Sequence, residues 1–120
     1  MQVLLAVADR DLREMLAFAV GFAGHHARYA DLARVGDVVD AVHPDLLVLA
    51  LAPGETEAMA QALRCHTQVP ILALAGADSP WLTAAVPCSD VAVLPLPVRP
   101  RDLRERLAEL RARQPALLIP

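Results

Sequence analysis

Aromatic side chains are scarce here: Phe, Trp and Tyr make up 3% of the 120 residues, although hydrophobic residues make up 56%. Ala, Leu and Val must therefore do the packing, which suits close helix-on-sheet layers better than an aromatic ligand pocket. Cysteine is equally rare. Cys65 and Cys88 lie too far apart in sequence to form a metal or redox motif, and two free thiols are ordinary in a reducing compartment, a reading preferred here over a structural disulfide. No stretch reaches the ~20 uninterrupted apolar residues that span a bilayer, and the first ten positions lack a secretory pattern. A soluble cytoplasmic protein without membrane association is expected. Excess positive charge is missing as well. A net charge of -3 gives no reason to expect direct nucleic-acid binding. Nor does the chain contain GxGxxG or GxxxxGK, so neither phosphate-cradling loop is available.

What is present is a strong apolar rhythm. Four runs, residues 3–8, 46–52, 69–75 and 91–96, are nearly continuous in apolarity, as parallel strands covered on both faces require. A fifth strand at 25–30 has the mixed character of a sheet edge. Between the runs lie helical segments. Residues 11–21 place Leu12, Met15, Leu16 and Ala19 on one face, with Arg13 and Glu14 outward and Asp9 able to cap the start. Residues 35–42 form the next, ended by His43-Pro44. Residues 55–65 follow, with Ala58, Ala62 and Cys65 at helical spacing. A shorter helix begins after Pro80. Residues 100–113 form the clearest surface helix, with Leu103, Leu107 and Leu110 inward and Arg residues outward. Strand-helix repeated five times favours one doubly wound α/β domain of three layers over residues 1–113. Residues 114–120 form a C-terminal tail, docked or free, or the start of a linker to an output domain in a longer parent protein.

An open parallel sheet offers its ligand site beyond the carboxyl ends of its strands. Those ends are apolar here, and Asp9 and Asp78 are surface or capping candidates. The segment LLAVADRDLREML, residues 4–16, resembles the first strand, acidic turn and first helix of response-regulator receiver domains. PDLLVLALAPG, residues 44–54, resembles their third strand and phosphorylation loop, one residue shorter. VPILAL, residues 69–74, resembles the fourth strand, and PVRPRDL, residues 97–103, the approach to the fifth helix. The matches span almost the whole chain.

The resemblance implies a flavodoxin-like five-stranded parallel sheet of order 2-1-3-4-5 with about five helices. It also implies a degenerate site, that of a pseudo-receiver. Val7 and Ala8 fall at the magnesium-binding acidic pair, Ala50 at the phosphoryl acceptor and Ala75 at the switch hydroxyl. Leu96, or Leu94 if the turn is aligned differently, falls at the phosphate-facing Lys, and the switch aromatic falls near Val93. Asp9 sits one position past the acidic pair, and Asp45 and Asp90 match structural acids. Ala50 has no nucleophilic oxygen and Leu96 no charge, so conventional aspartyl phosphorylation is not expected. No enzyme activity, cofactor or metal is expected either.

Other candidates are weaker. His25-His26 reads as an edge-strand surface, because adjacent strand side chains face opposite ways and coordinate one metal poorly. Cys65-His66 reads as a packed thiol beside a solvent-facing imidazole. Pro97 shapes a turn in either isomer. Trp81 either covers the sheet or anchors a partner. Between Arg99 and Arg113 there are six Arg against Asp102, Glu105 and Glu109, a solvated face or a docking or phosphate-facing one. The resemblance makes Trp81, Arg101, Arg104 and Glu105 candidates for a signalling or homodimer surface. The expected role is regulation of signalling or transcription through protein contacts. The alternative is small-molecule sensing in an apolar recess at Val7, Ala8, Ala50 and Ala75.

Overall fold

The computed structural model describes residues 1–30, 34–51, 55–66, 69–76 and 91–112. Within them, five strands and four helices follow in the order β1 (Gln2–Val7), α1 (Arg10–Phe22), β2 (His26–Tyr29), α2 (Val35–Val42), β3 (Leu46–Ala50), α3 (Glu55–His66), β4 (Ile71–Ala75), β5 (Val91–Pro95) and α4 (Pro100–Ala112). The strands pair in parallel in the order β2-β1-β3-β4-β5, the order that the receiver resemblance implies. The helix expected after Pro80, Trp81 and the tail at 114–120 lie outside the described residues.

Alternation along each strand divides the core into two layers. Val3, Leu5 and Val7 of β1 join Leu46, Val48 and Ala50 of β3 and Leu72 and Leu74 of β4 beneath α1 and α4, which contribute Leu16, Ala19, Val20, Leu103 and Leu107. Leu4, Ala6, Leu47, Leu49, Ile71 and Ala73 line the opposite face, covered by Val35 and Val39 of α2 and Ala60 of α3. β1, β3 and β4 are buried on both faces, whereas β2 is a mostly exposed edge. This explains why the central runs are continuously apolar and the edge run is mixed.

Helix boundaries follow local chemistry. The Asp9 carboxylate accepts the Leu12 amide at 3.1 Å and caps α1. Behind α1, Gly24 takes φ +89°, a left-handed turn suited to glycine. His43, also left-handed at φ 52°, closes α2, and its amide donates to the Val39 carbonyl at 2.9 Å. The Asp45 carboxylate then accepts the Gln2 amide at 2.7 Å while the Asp45 amide donates to the Gln2 carbonyl at 2.8 Å. This acid ties the start of β3 to the start of β1.

Two expectations need correcting. In α3 the inner face carries Thr56, Met59 and Ala60, whereas Ala58 and Ala62 are exposed. Alanines recur on both sides of this helix, and the larger Met59 gains more from contact with the sheet. His25 does not lie on an exposed edge: it is 8% exposed and precedes β2, with Nδ1 at 3.0 Å from the Met1 ammonium. Its amide donates to the Val20 carbonyl, so the turn behind α1 folds it inward while His26 stays outside.

Candidate functional site

Because the strands are parallel, the carboxyl ends of β1, β3, β4 and β5 share one edge of the sheet. With adjacent strands ~4.8 Å apart, these four ends span roughly 15 Å. Val7 is the register partner of Ala50, and the Ala8 amide donates to the Ala50 carbonyl at 2.9 Å. Ala75 pairs with Pro95, and the Leu96 amide donates to the Ala75 carbonyl at 2.8 Å. The fold therefore gathers Val7, Ala8, Ala50, Ala75 and Leu96 at one place, although 43 positions separate Val7 from Ala50. The Leu96–Pro97 peptide is cis.

The gathered groups supply almost no polar chemistry. Val7, Ala50 and Ala75 are 2%, 4% and 2% exposed. Leu94 joins Val7 and Ala50 in one core layer, Leu96 packs against that layer and Val93 against the other. Ala8 is exposed but has no functional group. Asp9, also exposed, directs its carboxylate at the first turn of α1. Among the described residues no three His, Cys, Asp or Glu side chains form a group able to hold a metal ion. Asp78 and Asp90 lie outside the described residues. The chain contains no lysine at all, so no shift of alignment places an ammonium at the end of β5.

One polar group at this edge escaped the sequence reading. Thr56, buried in the first turn of α3, accepts the Leu51 amide through Oγ1 at 2.9 Å, immediately after Ala50. The hydroxyl satisfies a backbone donor where the chain leaves the sheet. A lone Thr near a helix start gives only a general capping signal, which does not specify that contact.

Described residues also line two open clefts. One, of about 240 Å³, separates the end of β5 from α4, where Leu94, Pro95 and Val98 face Asp102 and Arg106. The other, of about 250 Å³, runs between α1 and α4 beside Phe18, Phe22 and Arg104. On α4, Arg101 and Glu105 form an exposed ion pair at 3.6 Å, and the Arg104 guanidinium stands 5.4 Å from the Phe22 ring centroid. These three candidate surface residues thus share the exposed side of α4. The Cys65 and His66 side chains lie outside the described residues.

No protein-family model matches the chain, and no curated protein matches it. Solved structures do. A protein assigned as a response regulator from Chloroflexus aurantiacus superposes with a TM-score of 0.74 at 23% identity, covering 92% of this chain and 97% of that one. The BeF3-activated N-terminal receiver domain of RstA from Klebsiella pneumoniae gives 0.71 at 20%, covering 92% and 99%. NtrX from Brucella abortus, in complex with ADP, gives 0.72 at 18%; the match covers 98% of this chain but 28% of that longer one. Likeness at these identities is likeness of fold, and the fold of this chain is that of the response-regulator receiver domains.

Proposed function

We propose that this chain is a phosphorylation-independent, receiver-like domain that acts in signalling or transcriptional regulation through protein contacts and performs no catalysis. The observation that carries this reading is the apolar edge at Val7, Ala50, Ala75 and Leu96. Phosphoryl transfer to a carboxylate requires an acceptor oxygen, oxygen ligands for magnesium and a cation facing the phosphoryl group. Ala50 lacks the first, Val7 and Ala8 lack the second, and a lysine-free chain lacks the usual third. Asp9 retains an oxygen, which it uses to cap α1.

A scaffold can keep its value after losing this chemistry, because its helical faces remain available to partners whatever the state of the strand ends. A partner that prefers one of two conformations would bias the domain without any covalent step. Joined to an output domain in a longer cytoplasmic protein, the domain would pass on that bias by contact. The burial of Val7, Ala50 and Ala75 favours close packing over a ligand recess at this edge. Protein contact is therefore preferred to small-molecule sensing.

Incubation with magnesium and acetyl phosphate, read by intact-mass spectrometry, tests the proposal. The expected spectrum holds the unmodified mass alone. A phosphoryl adduct that is lost under conditions that hydrolyse acyl phosphates would overturn it.

A further inference from the structure

We propose that the partner of this domain is a second copy of itself, joined through the α1–α4 face by antiparallel pairing of two α1 helices about the Phe18–Phe22 pair. The proposal rests on the reading of the chain as a protein-contact domain and names the contact. Of four aromatic residues in the chain, two are placed side by side in water: Phe18 is 74% exposed and Phe22 70%. Their rings stack with centroids 6.2 Å apart and planes inclined by 19°. With Ala19, Pro100 and Arg104 they line the open cleft between α1 and α4. Such a concentration of exposed apolar surface marks a contact site in a soluble domain.

Charge along the same stripe selects the occupant. At 100° per residue, Asp11, Phe18 and Phe22 lie within about 40° of one another on α1, and roughly 16 Å separates the first from the last. Asp11 is exposed on the stripe at the amino-terminal end, beside the exposed Arg10–Glu14 ion pair. Arg104 covers Phe22 at the other. A two-fold axis through the middle of α1 places Asp11 of each copy beside Arg104 of the other and brings Met15 against Phe18. Isologous pairing demands such reciprocity, in which one residue meets a second and the second meets the first. A uniformly acidic or basic partner would oppose like charge at one end of the stripe. The four rings offer about 600 Å² of apolar surface, more than half of the ~1,000 Å² that a specific interface buries. The charged rims of α1 and α4 supply the remainder.

Sedimentation velocity on the full chain, from low micromolar to submillimolar concentration, tests this. The weight-average mass is expected to climb from 12.9 kDa toward twice that value. Phe18→Ser with Phe22→Ser should keep the protein monomeric with an unchanged circular dichroism spectrum. Asp11→Arg should weaken association roughly tenfold, since symmetry counts the pair twice. Combining Asp11→Arg with Arg104→Asp should restore it. A wild-type mass constant at all concentrations, a serine variant that associates like wild type, or charge reversals that fail to compensate would each overturn the proposal. A monomer still refractory to acetyl phosphate would remove the dimer while leaving phosphorylation-independence standing. A phosphorylated protein would remove that reading instead.

Discussion

Val7 and Ala50 are register partners on adjacent parallel strands, and both are almost completely withdrawn from water. A carboxylate at position 50 would enter a dry apolar layer with no cation provided for it. Ala50→Asp is therefore expected to lower stability by about 2–3 kcal/mol in urea unfolding at neutral pH. It is also expected to stay unmodified with acetyl phosphate and magnesium, because Val7, Ala8 and Leu96 are unchanged. Phosphorylation of this single variant would mean that the rest of the site is functional.

Asp9 holds the first turn of α1 through its bond to the Leu12 amide. Asp9→Ala should lose about 1 kcal/mol. Magnesium should leave the unfolding midpoints of wild type and variant equally unmoved. A magnesium-dependent stabilisation confined to wild type would assign the carboxylate to the metal instead.

Thr56 joins α3 to the end of β3 through the Leu51 amide. Thr56→Val, nearly the same shape without the oxygen, is expected to cost about 1–2 kcal/mol because a backbone donor loses its acceptor. Thr56→Ser should retain the bond and lie closer to wild type. A Thr56→Val variant as stable as wild type, with Thr56→Ser the less stable of the two, would assign the effect to the methyl group instead.

The two helices over the first core layer can be compared directly with the surface. Leu16 and Leu107 are completely buried, so truncation of either to Ala is expected to cost 2–5 kcal/mol, as for well-packed core leucines generally (about that range). Arg101→Ala removes an ion pair whose side chains are 77% and 66% exposed and should change stability by less than about 0.5 kcal/mol. Chemical denaturation of the three variants checks the contrast.

Much of this was legible in the sequence because parallel strands buried on both faces leave continuous apolar runs. β3, β4 and β5 each lie inside an expected run, with ends shifted by one or two residues where backbone pairing stops before apolarity does, and β1 begins one residue before its run, at the polar Gln2, which pairs with His26. The cap at Asp9 and the end of α2 at His43-Pro44 were legible as local chemistry. Alanine-rich α3 was legible as a helix but not in its rotation, since alanine marks a face weakly. His25 was misplaced because its burial depends on the turn at Gly24, a feature outside the strand pattern. The exposed pair Phe18 and Phe22 escaped notice for a related reason: apolar residues on the outer side of an amphipathic helix look like ordinary core until the sheet fixes which side faces inward.

Backbone amide NMR of the full chain during titration with magnesium and beryllium fluoride, at constant pH and ionic strength, tests phosphorylation-independence most directly. The expected result is a folded spectrum in which the amides of Ala8, Asp9, Leu51, Gly76 and Leu96 do not shift with saturation. Saturable shifts centred on those amides would contradict it and establish a phosphoryl-binding site at the apolar strand ends.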